Sequence, residues 1–204
     1  MLDRRMATSR PYHHGNLRAA LLQAAEKALE TGGLHEISLR ELSRELGVSH
    51  TSPRRHFVDK QALLDALAIS GFERFGAALE RATRVKRHSF KTRLTRMAQA
   101  YVAFALKHPA LFVLMFEAKH RVDAPPELLQ ASDRAFGHGR ATFAEGQASR
   151  EVVPGDPSRL CLVAFAALQG LITISTNGKF KGVDLDTLTK EIIDRIITGF
   201  RPRE

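Results

Sequence analysis

A chain of 204 residues with 44% apolar and 26% charged side chains can bury a core of its own in one or two domains, and its balance is that of a soluble globular protein rather than a disordered one. Its formal net charge of +9 and isoelectric point near 10.2 suggest a polyanionic partner, although many basic proteins bind none. A lone cysteine, Cys161, excludes a disulfide framework and a thiolate metal site, and in its apolar setting it reads as a buried inert thiol.

Residues 1–13 read as a free arm whose Arg10, His13 and His14 either track a minor groove or have no role. The start, Met1 to Met6, is charged and lacks the apolar core of a signal peptide, so the expected compartment is the cytoplasm. Asn16 can cap a first helix running to about Thr31, with Leu17, Leu21, Ala24, Ala25, Ala28 and Leu29 as its buried stripe, and Gly32-Gly33 stop it.

The segment Ser38–Phe57 then reads as two short helices around a tight turn. In the first, Leu39, Leu42 and Leu46 recur at i, i+3 and i+7, and Ser38 with Glu41 has the spacing of a capping box. Gly47 suits the left-handed position that ends a helix, Val48 supplies an apolar anchor, and Ser49 or Thr51 can cap the second helix. That second helix carries Ser49, His50, Thr51, Ser52, Arg54, Arg55 and His56, with little to bury beyond Val48 and Phe57. Pro53 fits only within its first turn, where the missing N–H would be unpaired anyway. A helix so short and polar faces a partner, and the order helix, turn, polar-basic helix is the geometry that lays a recognition helix in a DNA major groove. Asp59 can cap a long helix from Lys60 to about Arg81, whose positive N-terminal end would point at a phosphate backbone.

The basic run Arg81, Arg84, Lys86, Arg87, Lys91, Arg93 and Arg96 holds no acid and reads either as a solvated junction or as an auxiliary phosphate contact. Further helices are expected over 91–107, 110–116, 127–149, 158–176 and 185–200, with breaks at Asp123–Pro126 and Val153–Pro157. The longest apolar run, Leu160–Ile174, is interrupted by Gln169-Gly170 and is shorter than the ~18 residues a membrane span needs. In the last helix Leu188, Ile192, Ile193, Ile196, Ile197 and Phe200 cover more than the ~100° arc one core requires. This surplus marks either a face shared with a second copy or a wholly internal core.

Residues 16–80 resemble the DNA-binding domain of TetR-type transcriptional repressors. The resemblance is carried by Glu30-Thr31-Gly32-Gly33, Ile37-Ser38, Leu46-Gly47-Val48-Ser49, His56-Phe57, Lys60 and Leu63-Leu64. Where the family's recognition helix usually has Gly-Thr-Leu-Tyr, this chain has Thr51-Ser52-Pro53-Arg54, so the tyrosine that commonly touches a phosphate is replaced by Arg54. The resemblance implies an all-α protein of about nine helices, with an N-terminal three-helix helix-turn-helix head joined by a long helix to a C-terminal helical bundle. The head would occupy 14–75, with the motif at 38–57, and a sensing and dimerising body 85–204. It further implies a homodimer on a near-palindromic double-stranded operator and a small-molecule effector of unspecified identity.

On this reading Ser49, His50, Thr51, Ser52 and Arg55 are the candidates for base edges, and Arg40, Arg54, His56 and Lys60 for phosphates. His56 beside Phe57 can instead close the head structurally. For a ligand pocket the candidates are Phe104, His108, Phe112, Met115, Phe116, Phe136, His138, Phe143, Phe165, Gln169 and Thr173, which mix aromatic bulk with sparse polarity; an ordinary core explains them too. Gln169 needs a hydrogen-bond partner, because an unpaired buried amide costs about 1–3 kcal/mol. Catalysis finds little support. Glu117 and His120 have the spacing of one half of a di-iron site without a second copy, and Gly137-His138-Gly139 lacks the third glycine of a nucleotide loop. No metal, cofactor or membrane partner is expected.

Overall fold

The computed structural model describes residues 17–85, 87–176, 182 and 184–202, all α-helix, 3₁₀-helix or loop. Arg10, His13, His14 and Asn16, expected as an arm and a cap, and Lys86 of the basic run lie outside these residues. The chain divides into two compact units, the first ending at Leu63 and the second beginning at Leu64.

The first unit contains α1 (Leu17–Gly32), a 3₁₀ turn at Gly33–Glu36, α2 (Leu39–Glu45) and a second 3₁₀ turn at Pro53–Arg55. Helix α1 buries Leu17, Leu21, Ala24, Ala25 and Leu29 of the expected stripe and leaves Ala28 half-exposed. Ile37, Leu42, Phe57 and Leu63 are buried as well, each large side chain contributing roughly 1.5–3 kcal/mol by leaving water. The chain leaves α2 through Gly47 at φ +64, a conformation a Cβ would oppose. There the Gly47 N–H donates to Arg44 C=O (3.2 Å) and the Val48 N–H to Ser43 C=O (3.0 Å), the double bond of a Schellman turn.

Two expectations fail here. Ser38 makes no side-chain cap bond, and Glu41 pairs with Arg44 on its own helix instead of reaching back, so the capping box does not form. The second helix of the motif is not α-helical. Ser49 Oγ and Thr51 Oγ1 bond each other at 3.0 Å, and Arg55 and His56 donate to Ser52 and Pro53 in 3₁₀ fashion. Pro53 is itself buried. With no N–H of its own it cannot donate back to Ser49, so a regular α-turn is one bond short at its start.

In the second unit α3 (Lys60–Thr83) contributes its residues from Leu64 onward, followed by α4 (Phe90–Lys107), α5 (Pro109–Lys119), α6 (Pro126–Ala148), α7 (Pro157–Thr176) and α8 (Leu185–Phe200). Asp59 Oδ1 accepts from the Ala62 N–H at 2.8 Å and caps α3 as expected. Helix α4 begins one residue early because Ser89 caps it, accepting from the Thr92 N–H at 3.3 Å. It is the hub of the bundle, packing on α5, α6, α7 and α8. The centre is aromatic: Phe75 lies 5.2 Å from Tyr101 and 5.3 Å from Phe104, ring to ring, at tilts that set ring edges against ring faces. Close approach needs glycines at α3. A Cβ on Gly71 would meet Met115 Sδ at 2.6 Å, and one on Gly76 would meet Ala135 Cα at 3.2 Å.

The basic run is broken up by folding. Arg93 is buried and paired with Glu145, Lys91 bonds Asp194 at 2.8 Å, and Arg96 donates to His88 Nδ1 at 3.1 Å. Arg93 and Lys91 thereby fasten α4 to α6 and α8, while Arg81, Arg84 and Arg87 stay exposed. Helix α7 runs through Gln169-Gly170 without a break. By length and composition Pro157–Ser175 would suffice to cross a membrane, although the apolar run alone had suggested otherwise.

Candidate nucleic-acid interface and small-molecule cavity

In the first unit the turn after α2 and the 3₁₀ element after it present one polar surface. Arg40, Ser49, His50, Thr51, Arg54, Arg55, His56 and Lys60 are all exposed, and Ser52 is half-buried. Buried Pro53 and Phe57 anchor this strip from beneath, and Arg18 lies over the Phe57 ring at 5.4 Å. The anchors leave the intervening polar side chains directed outward. Lys60 Nζ donates to the Leu34 carbonyl at 2.7 Å, so the ammonium is held in place and keeps two of its three donors. A surface of cations, hydroxyls and imidazoles, with the N-terminus of α3 beside it, can neutralise phosphates and offer donors and acceptors to base edges.

The second unit spreads the pocket candidates over several environments, with His138 half-buried on α6. Phe112 and Met115 are in the interior, where Phe112 joins the aromatic cluster with Tyr101 and Phe116. Phe143 is fully buried, between Phe90 and Phe200. Phe104 and His108 stand at a separate groove with Arg74, Arg81 and Lys107. Thr173 is exposed and returns its hydroxyl to the Gln169 carbonyl at 2.9 Å. Gln169 finds its partner inside the chain: the Tyr101 hydroxyl donates to its Oε1 at 2.6 Å. Burial around that bond holds the Tyr101 phenol neutral, its pKa pushed well above the ordinary value.

Phe136 and Phe165 are the two candidates that line the open groove formed by α5, α6 and α7, a cavity of about 480 Å³. Its other walls are Lys119, His120, Leu129, Ser132, Asp133, Arg140, Ser158, Cys161 and Leu162. The Lys119 ammonium sits 4.7 Å from the centres of both the Phe116 and Phe136 rings, and burial lowers its pKa. Arg140 is tied to Asp133 Oδ1 at 2.8 Å. Burial pushes the Cys161 thiol up, away from reactivity. The Nδ1–H of His120 donates to the Phe116 carbonyl at 2.7 Å. Aromatic residues were legible as cavity wall in the sequence. Lys119, Ser132 and Arg140 were not, because a lysine or arginine in an amphipathic helix normally faces water.

The dimer candidates divide too. Ile193 and Ile197 are interior residues of the unit, where α8 packs on α4 and α7, so they are core and not a shared face. Leu188, Ile192, Ile196 and Phe200 remain half-exposed. Apolar exposure is greater on α7, at Leu162, Val163 and Ile174.

A family model described as bacterial regulatory proteins, tetR family, matches residues 21–67. One for the tetracyclin repressor-like C-terminal domain matches residues 94–200. No curated protein matches the chain. Among solved structures, a protein of unknown function from Rhodococcus sp. RHA1 is 42% identical, with a TM-score of 0.89 over 95% of this chain and 100% of its own. The TetR family transcriptional regulator PfmR from Thermus thermophilus is 20% identical, with a TM-score of 0.68 over 89% and 99%. A transcriptional regulator from Saccharomonospora viridis in complex with choline is 18% identical, with a TM-score of 0.76 over 93% and 100%.

Proposed function

The chain belongs to the TetR family of bacterial regulatory proteins and is a DNA-binding transcriptional regulator, and from that membership we propose that it works as a homodimeric repressor released from a near-palindromic operator by a small molecule. The observation that carries the proposal is the set of exposed polar side chains Ser49, His50, Thr51, Arg54, Arg55, His56 and Lys60, pinned from below by Pro53 and Phe57 and interrupted by exposed Val58. Ser49, His50, Thr51, Ser52 and Arg55 read base edges, while Arg40, Arg54, His56 and Lys60 hold phosphates. Arg54 stands in for the family's tyrosine and substitutes a full charge for a hydroxyl.

The head is assigned to 14–75 and the body to 85–204. Two copies associate through α7 and α8, burying Val163 and Ile174 with the half-exposed edge of α8. The two heads of such a dimer enter successive major grooves about 34–36 Å apart. The groove beside Lys119 takes the effector, since the choline-bound neighbour has a small organic ligand on this fold. The next residue after His120 in that wall, Arg121, forks onto Asp65 of α3 at 2.7 and 3.2 Å. A ligand that shifts the end of α5 therefore acts on α3, and through α3 on the head. Such a ligand works only through its different affinity for the two states. The family's members are soluble DNA-binding proteins; for this chain the assigned location is the cytoplasm.

Binding to mixed genomic fragments over a salt series tests this reading. It predicts a steep fall of affinity with salt and enrichment of a site with two half-sites one helical turn apart. Uniform binding of all fragments, or none, overturns it.

A further inference from the structure

We propose that the groove formed by α5, α6 and α7 binds a monoanionic amphiphile, its carboxylate on the Lys119 ammonium and its apolar part along Phe136, Phe165, Leu129 and Leu162. This deepens the effector reading above and rests on it for its regulatory meaning; the binding itself needs no DNA.

Charge comes first. The groove is lined by two fixed cations, Lys119 and Arg140, and one carboxylate, Asp133. Arg140 is already committed, donating to Asp133 Oδ1 at 2.8 Å and to the Asp133 carbonyl at 3.2 Å. Lys119 pairs with no acid among the described residues and faces the Phe116 and Phe136 rings alone. One unneutralised positive charge thus remains in a half-buried wall. Two ring faces attract an ammonium but accept none of its three N–H donors as a carboxylate would. A partly desolvated ammonium without a counter-charge is costly, and an anion relieves that cost. Burial accordingly lowers the Lys119 pKa, with no compensating charge to raise it.

A second polar group points to the same occupant. Ser132 is 7% exposed, lines the groove, and its hydroxyl bonds no other described residue. It is placed to donate to an oxygen of the bound headgroup. The apolar lining beside these groups is Phe136 and Phe165, set edge to face at 5.3 Å, with exposed Leu129 and Leu162. A volume near 480 Å³ suits a small organic molecule. The net single charge selects a monoanion over a dianion. The Lys119 ammonium already occupies the Phe116 and Phe136 faces and repels a ligand cation from them.

Calorimetric titration of the full chain with three eight-carbon probes tests this: octanoate, 1-octanol and octyltrimethylammonium share a tail and differ in head charge. Octanoate is expected to bind at least about tenfold more tightly than either of the others. Lys119→Gln should abolish that preference and Lys119→Arg retain it, with thermal unfolding of each variant checking the fold. Ser132→Ala should weaken octanoate alone. Equal binding of the three probes, preference for the cation, no binding at all, or selectivity surviving in folded Lys119→Gln overturns the assignment. Loss of octanoate binding with operator binding intact sinks only this inference; octanoate binding without any preferred DNA site sinks the regulator reading instead.

Discussion

Lys60 and Arg55, both exposed cations within one short strip, are given different work in the proposed function. Lys60 is fixed by its bond to Leu34 and offers its remaining donors beside the N-terminus of α3. Replacing it with Ala should weaken binding to every sequence and shallow the slope of log K against log salt by about 1. Arg55→Ala should instead relax preference at one base-pair position, costing about 1–3 kcal/mol there. Fluorescence anisotropy on operator and scrambled duplexes separates the two, and equal losses on both duplexes for Arg55→Ala would remove it from the base readers. In the body, Gly146 faces Phe90 and Val152, which would lie 2.6 and 2.8 Å from an added Cβ. Both neighbours are themselves buried. Gly146→Ala should therefore cost about 1–3 kcal/mol by overpacking, seen as a lower urea midpoint. A midpoint equal to the wild type's would mean the core is looser than described.

Among the elements, α8 depends on an ionised cap. Asp184 accepts from the Asp186 N–H at 3.1 Å and the Thr187 hydroxyl at 2.5 Å, and these bonds lower its pKa from 3.8. Its folded pKa is depressed, so its contribution is complete above the unfolded value and fades as the pH falls through the folded one. Asp184→Ala should lower the melting temperature at about pH 7, and the gap from wild type should narrow as the pH falls below the ordinary 3.8. A gap independent of pH would rule out the charged cap. Helix spans were legible because apolar periodicity and Pro or Gly breaks are local signals; α6 and α8 fall where the pattern puts them. Other features depended on pairings invisible in one dimension. Nothing near Gln169 in sequence announces Tyr101, and Glu145 turns Arg93 from a surface cation into a buried one. The recognition element was misjudged for a local reason: polar spacing suggested an α-helix, but Pro53 and the Ser49–Thr51 hydroxyl bond favour a tighter turn. In the body, aromatic composition named two walls of the groove, Phe136 and Phe165, while its charged wall on α5 and α6 was unreadable without the packing.

In the whole molecule the proposed function divides between the units: the strip from Ser49 to Lys60 reads sequence, and the groove in the second unit takes the effector. The most direct measurement is selection from a random duplex library by the wild type and by Arg55→Ala, with sequencing of the bound fraction. The account predicts a twofold-symmetric motif for the wild type and loss of information at matched positions in both half-sites for the variant. Recovery of the same motif by both proteins, or of no motif by the wild type, would contradict it.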